Sequence, residues 1–318
     1  MTDAVLSIRD LCVDYVTEHG AVRAIDSVSL DVYGGEILGV AGESGSGKST
    51  LVHAVMRILP PPAVIRGGVV QFEGRDILSL DEGELRALRW NRISMVFQSA
   101  MDALNPVITV GEQIVDTLTA HRTIPTAAAR ARAGELLEMV GIPDSRVDAY
   151  AHQLSGGMRQ RVCIALALAL EPAVVIMDEP TTALDVIVER EILNTVRSLQ
   201  RRLGFAVVYI THDLARMLQY SDRVAVFYAA RIVEAGPSAE LHRAPRHPYT
   251  QGLLRAFPTV HGEEEARSIP GSPPSLVNPP AGCRFHPRCP FVFDRCREVV
   301  PEFVSVGPDH AAACHLLG

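Results

Sequence analysis

The sequence predicts an α/β fold: a phosphate-binding core on a parallel sheet, an antiparallel β subdomain, an α-helical subdomain and a small cysteine-rich C-terminal extension. Three observations carry this reading. A glycine-rich loop, Gly42-Glu43-Ser44-Gly45-Ser46-Gly47-Lys48-Ser49-Thr50, stands between an apolar strand and a helical run. Two further apolar runs, Val174-Val175-Ile176-Met177 and Ala206-Val207-Val208-Tyr209-Ile210, end in Asp178-Glu179 and in Thr211-His212-Asp213. Buried parallel strands end at a site in this way. Finally, four of the six cysteines fall in the last 36 residues, behind a proline-rich stretch.

Bulk properties narrow the class. A chain of 318 residues with 47% hydrophobic content fills a sizeable core, in one large or two modest domains. A net charge of −7 argues against a general nucleic-acid binder. Met1-Thr2-Asp3-Ala4-Val5 shows no basic segment leading into an apolar one, so no signal peptide is expected. The longest apolar run, Val162 to Leu170, falls well short of the roughly 18 residues that span a bilayer. A cytoplasmic location is expected, with any membrane role exercised through a partner.

In chain order, Val5–Ile8, Val13–Val16 and Ala24–Val32 read as strands of a half-exposed antiparallel sheet. Gly34-Gly35 makes a turn, and Glu36–Ala41 is a short apolar strand entering the loop. Leu51, Val52, Val55, Met56, Ile58 and Leu59 then lie at helical spacing, and Pro60-Pro61-Pro62 is expected to stop that helix. Val69–Phe72 and Ile93–Phe97 are further strands, the second followed by Gln98. Two helices are expected within the region between 109 and 140, and another opens at Leu154-Ser155-Gly156-Gly157 and runs to Leu170. Val224–Tyr228 and Arg231–Glu234 form a hairpin. Residues 237–282, rich in proline, read as a linker or loosely structured extension. Cys12 and Cys163 stand alone in apolar surroundings and read as core packing.

The loop has the G-x-x-x-x-G-K-[ST] pattern in its required strand–loop–helix context. Its amides and the helix N-terminus face the phosphates. Lys48 should contact the β- and γ-phosphates, and Ser49 should ligate Mg²⁺. Lys48 is the one lysine in the chain, and the other 29 basic residues are arginines. A compact ammonium threads beside a phosphate chain where a broad guanidinium fork does not.

With Gln98, Leu154-Ser155-Gly156-Gly157, Asp178-Glu179, Ala183-Leu184-Asp185 and His212 following in order, residues 5 to about 240 resemble the ATP-binding subunits of ABC transporters. Asn105-Pro106, Thr109-Val110-Gly111-Glu112-Gln113, the Met158 after Gly157 and Gly271-Ser272-Pro273-Pro274 look like the oligopeptide/dipeptide importer branch, which includes nickel importers. The resemblance implies a P-loop NTPase of ABC type with a RecA-like parallel core over residues 1–240. The helical subdomain would lie at about 99–165 and the extension at 241–318. It implies ATP bound by residues 42–50, with Tyr15 stacking on adenine, although strand tyrosines also serve as packing. Asp178 would hold the Mg²⁺ shell with Ser49 and Gln98. Glu179 would act as general base on the attacking water. Gln98 would contact Mg²⁺ or that water, and His212 would act as the switch histidine on the γ-phosphate. Ser155, Gly156, Gly157 and Asp185 would close on ATP held by a partner subunit. Expected partners are a second ATPase subunit (a sister chain more than an identical one), two transmembrane permease subunits and an extracytoplasmic solute-binding protein, with no nucleic acid. The place of work would be the cytoplasmic face of the membrane, peripherally bound.

Cys283, Cys289, Cys296 and Cys314 are separated by five, six and seventeen residues and lack the C-x-x-C pairs of zinc ribbons. Tails of this kind in the branch resemble cluster-binding ones, so a [4Fe–4S] cluster is expected, with Zn²⁺ second and free thiols third. His286, His310 and His315 could substitute as ligands and are read first as bystanders. Two competing functions, a soluble ABC-type ATPase acting on DNA or ribosomes and a non-hydrolysing regulatory subunit, fit less well. The first calls for coiled-coil insertions or a duplicated ATPase unit, and Glu179 and His212 argue against the second.

Overall fold

Five consecutive buried residues, Ile37-Leu38-Gly39-Val40-Ala41, make the strand that feeds the glycine loop. The structure is a computed structural model and describes residues 4–18, 20–98, 103–181, 184–256 and 268–317. Its elements are β1 (Ala4–Thr17), β2 (Gly20–Tyr33), β3 (Ile37–Ala41), α1 (Lys48–Val55), β4 (Ala63–Phe72), β5 (Arg75–Asp76), α2 (Glu82–Leu88), β6 (Ile93–Val96), α3 (Val110–His121), α4 (Thr126–Met139) and α5 (Gly156–Leu168). There follow β7 (Val174–Asp178), α6 (Val186–Leu203), β8 (Ala206–Thr211), α7 (Leu214–Tyr220), β9 (Arg223–Tyr228), β10 (Arg231–Pro237), α8 (Ser238–Arg243), α9 (Pro248–Arg255), α10 (Asp294–Glu298), β11 (Val304–Gly307) and β12 (His310–Ala312). The chain divides into two units. One holds 33–35 and 79–208 with the start of the chain, and the other holds 6–32, 36–78 and 209–318, so the division falls within β8.

In the first unit β6 and β7 pair in parallel, from Ile93↔Val174 to Val96↔Met177. All four residues of β6 and all five of β7 are buried, as a strand covered on both faces requires. Helices α3 and α4 pack together through Val110, Ile114 and Leu118 on one and Ala129, Ala133, Leu136 and Leu137 on the other. A capping box starts α3: the Thr109 hydroxyl accepts from the Glu112 N–H, and the Glu112 carboxylate accepts from the Thr109 N–H. The long α6 presents Ile192, Leu193, Val196 and Leu199 as a buried stripe and ends at Gly204, which takes the left-handed φ of 77°.

In the second unit a four-stranded sheet runs β2-β1-β4-β5, with β1 and β4 antiparallel. A second series runs β11-β12-β10-β9-β3, in which β3 and β9 are parallel. The β9–β10 hairpin turns through Ala229 and Ala230, both at positive φ, which matches the twist of the flanking strands. The C-terminal tail extends this series: β12 pairs with β10 through Ala235↔Ala311, and β11 pairs with β12.

Three expectations change. The helix after the loop stops at Val55, before the prolines. Arg57 adopts a left-handed φ of 51°, Ile58 donates to the His53 carbonyl (2.9 Å), and Arg57 donates to that of Ala54 (3.0 Å), which together form a Schellman closure. The stretch expected as linker carries α8 and α9. Pro237 and Pro248 start these helices at the N-cap and N1 positions, where the missing N–H costs nothing, and Leu241, Tyr249 and Leu253 are buried. Cys12 is half-buried and accepts from the Ser27 N–H (3.3 Å), whereas Cys163 is buried as expected.

Candidate functional site

The loop needs glycine where the backbone closes on itself. Gly42 has φ 151°, and a Cβ there would sit 2.3 Å from the Phe227 carbonyl oxygen. Gly47 has φ 109°, and its Cβ would sit 2.3 Å from the Ala24 carbonyl oxygen. Lys48 is 5% exposed, and its Nζ donates to the carbonyls of Gly42 (2.7 Å) and Glu43 (2.9 Å) and to Ser46 Oγ (3.4 Å). The Ser46 N–H donates to the Glu43 carbonyl (3.2 Å), and the Ala230 N–H donates to that of Ser46 (2.9 Å), so the β9–β10 turn fixes the loop from below. Gly47 caps α1 without a side chain, and the positive end of that helix begins at the loop. Ser44 and Gly45 are exposed, and Ser49 and Thr50 are half-buried.

Tyr15, half-buried on β1 opposite Ala63, and His212, exposed after β8, belong to the same unit as the loop. Asp213 follows His212 and caps α7 by accepting from the Arg216 N–H.

The acidic residues and the Ser-Gly-Gly turn lie in the other unit. Asp178 is buried at the end of β7, and Glu179 next to it takes a positive φ of 44°. Such a backbone is uncommon for a side-chain-bearing residue and clusters at working sites. Gln98 Nε2 donates to Glu179 Oε2 at 3.3 Å, joining residues 81 positions apart. Ser155 caps α5, its hydroxyl accepting from the Met158 N–H (3.3 Å). A Cβ on Gly157 would lie 2.6 Å from Val188 Cγ1, so glycine lets α5 approach α6. Asp185 caps α6 by accepting from the N–H groups of Ile187 (3.0 Å) and Val188 (2.9 Å). The structure thus brings Gln98 to Glu179 and the Ser-Gly-Gly turn to the start of α6. Ala183 lies outside the described residues. Missed in the sequence was the buried bond from Thr181 Oγ1 to Glu189 Oε1 (2.6 Å), which ties the segment after Glu179 to α6.

The four late cysteines, spread over 32 positions, line one small cavity together with His247, Pro248, Phe285, His286, Phe291, His315 and Leu316. All are free thiols. Burial pushes Cys283 up to about 11 and raises Cys289 and Cys314 as well, and the neighbouring cysteines add to each shift. Burial holds His247 down to about 3, and its neutral ring accepts from the Tyr249 N–H (3.0 Å). His310 is committed to Glu234 (2.8 Å). Among the described residues, no group of three or more His, Cys, Asp or Glu side chains is placed to hold a metal ion.

The sequence had also given no sign that the tail touches the loop. Arg288 makes a forked pair with Glu43, Nη1 to Oε2 at 2.7 Å and Nη2 to Oε1 at 3.0 Å, and the Glu43 N–H donates to the Tyr249 hydroxyl (3.0 Å). Contacts over 245 and 206 positions leave no local pattern to read.

A glycine loop opening a helix, with parallel strands that end in acid and polar residues, defines an α/β protein of the P-loop nucleotide-binding class. The family model described as "ABC transporter" matches residues 25–182, and one described as "Oligopeptide/dipeptide transporter, C-terminal region" matches 233–296. The oligopeptide transport ATP-binding protein OppD of Bacillus subtilis (strain 168) is 45% identical over 317 residues, covering 98% of this chain and 88% of its own. The dipeptide transport ATP-binding protein DppD of Escherichia coli (strain K12) is 42% identical, covering 98% and 96%. A dimeric ATP-binding cassette in a post-hydrolysis state, bound to ADP and Pi, superposes with TM-score 0.65 at 28% identity, over 73% of this chain and 98% of that one. The structure of cbiO1 from Clostridium perfringens gives TM-score 0.66 at 29% identity, over 76% and 92%. The chain belongs to the family of ABC transporter ATP-binding subunits, alongside those of the oligopeptide and dipeptide systems. Membership carries ATP hydrolysis coupled to transport and the use of Mg²⁺.

Proposed function

We propose that this chain is the ATP-hydrolysing subunit of an importer that takes up di- and oligopeptides across the cytoplasmic membrane. The observation that carries the proposal is likeness over the whole chain, tail included, to subunits named for oligopeptide and dipeptide transport. Residues 1–240 form the ATPase domain, with its helical part at about 99–165, and 241–318 form the extension; the C-terminal family match from 233 supports that boundary. Residues 42–50 cradle the phosphates, and Tyr15 stacks on the adenine. Ser49, Asp178 and Gln98 hold Mg²⁺. Glu179, held by Gln98, takes the proton from the attacking water, and His212 senses the γ-phosphate. Ser155, Gly156, Gly157 and Asp185 close the site of a sister subunit. Val186 and Ile187 beside Asp185, 65% and 73% exposed, suit a face that is covered on pairing. Among the described residues no helix is long and apolar enough to cross a membrane. Two permease subunits span it instead, a solute-binding protein delivers the peptide outside, and this subunit docks on the cytoplasmic face. The test is hydrolysis by the whole complex in vesicles. ATP turnover should rise with peptide-loaded binding protein; a response to nickel and to no peptide would overturn the peptide assignment.

Cys283, Cys289, Cys296 and Cys314 line one small cavity, and four thiolates are the ligand set of an iron–sulfur cluster. They would hold a [4Fe–4S] cluster, which when bound supplies a cross-link between segments and a one-electron couple. Loading also requires the thiols, of which burial raises Cys283, Cys289 and Cys314, to lose their protons. Anaerobic purification should give a brown protein with matching iron and sulfide, and Cys289→Ser should bleach it; a colourless wild type containing zinc would overturn the cluster.

A further inference from the structure

We infer that the C-terminal extension is part of the ATP site: Arg288 and Tyr249 are positioning residues that set the phosphate-binding loop through Glu43. This rests on the loop being the ATP site. Glu43 is the second residue of the loop, and both its side chain and its backbone N–H are held from the tail side of the chain. Its carbonyl accepts from the Lys48 ammonium (2.9 Å), so displacement of Glu43 disturbs Lys48.

The clamp is built rather than incidental. The Arg288 side chain is 5% exposed and that of Glu43 26% exposed, so water screens the pair weakly. The guanidinium is aimed by other groups: Nε donates to the Pro270 carbonyl (2.9 Å), and Nη1 reaches the Tyr228 hydroxyl (3.4 Å). The segment carrying it is anchored by Phe285, whose ring meets those of Tyr228 at 5.2 Å and Tyr249 at 5.4 Å, while the two tyrosines lie 4.5 Å apart. One aromatic cluster therefore joins β9, α9 and the cysteine segment under the loop. A lysine at 288 would supply charge without the two parallel bonds.

The experiment measures ATP affinity by nucleotide titration and ATP KM and kcat on the full chain. It uses wild type, Arg288→Ala, Arg288→Lys, Glu43→Gln and Tyr249→Phe, with hydrogen exchange followed at residues 42–50. Losing one charge-assisted forked pair should weaken ATP binding about tenfold in Arg288→Ala. KM should rise in step, kcat at saturating ATP should change less than twofold, and exchange in the loop should speed up. Arg288→Lys should restore little of the affinity. Arg288→Ala combined with Glu43→Gln should be no worse than the more damaging single change. If Arg288→Ala fails to fold, Glu43→Gln and Tyr249→Phe carry the same test without altering the cysteine segment. Affinity and loop exchange unchanged in both would overturn the positioning role. A wild-type chain that binds no ATP would instead overturn the ATPase reading, and the positioning role with it.

Discussion

Lys48 stands among 29 arginines, and its burial within three oxygens of its own loop explains why an ammonium is used there. A guanidinium is too wide to take those oxygens and then a phosphate in one slot. Lys48→Arg should therefore lower ATP affinity by about tenfold or more despite equal charge, read by nucleotide titration; equal affinity would show that charge alone is required. Glu179 adds a backbone signal to its chemical one, because a positive φ at a residue with a side chain costs roughly 1–3 kcal/mol and persists only where the surroundings impose it. Glu179→Gln keeps the shape and removes the base. Turnover should fall by about 10² to 10⁴ with ATP still bound; near-normal turnover would remove Glu179 from that role. Residues of this kind were legible in the sequence because each lies in a short local pattern. Neither the Gln98–Glu179 contact nor the Arg288–Glu43 contact was readable, because pairing across 81 and 245 positions is decided by tertiary packing.

At the scale of elements, apolar runs and glycines announced the strands β3, β7 and β8 and the turn into α1, since burial on both faces forces continuous Val, Ile and Leu. Helix ends were less legible. Pro60 looked like the stop for α1, but Arg57 in the left-handed region closes it earlier. Pro237 and Pro248 looked like linker but initiate helices. Ion pairs that tie elements together were invisible as well. Asp26 on β2 receives Arg231 from β10 (2.6 Å) and Arg284 from the tail (2.6 Å), with Arg23 at 3.2 Å. Burial pushes its carboxyl upward, but the bond and charge of Arg231, with the charges of Arg284 and Arg23, outweigh that and hold it below its ordinary 3.8. A carboxylate lowered on folding contributes stability that is fully present above its unfolded value and is lost as pH falls through the folded one. Asp26→Asn should consequently lower the melting temperature at pH 7 and flatten the fall in stability below about pH 4. Parallel pH–melting curves for the two proteins would show that Asp26 does not supply this linkage.

On the scale of the whole molecule, the two units carry unlike groups. The loop unit offers a lysine, a helix start and the clamp from the tail, and the other unit offers an acid pair and a capped Ser-Gly-Gly helix. Ser155, exposed, caps the start of α5, and exposed Val186 and Ile187 make an apolar margin at the start of α6, which Gly157 approaches at Val188. An apolar margin beside an anion-binding helix end suits contact with a second ATP-loaded subunit, with two nucleotides buried between the pair. Hydrolysis would then remove the γ-phosphate contacts and release the pair, which is how the energy would reach the permeases. If so, the Glu179→Gln chain, which keeps its ATP, should sediment as a pair with itself or with its sister subunit when ATP and Mg²⁺ are present, and singly without them. Adding Ser155→Arg, which places a bulky side chain at the α5 start, should abolish that pairing while leaving the nucleotide affinity of the single chain unchanged. Pairing that survives Ser155→Arg would mean the subunits meet by another face. Affinity lost in the single chain would mean that Ser155 serves its own nucleotide.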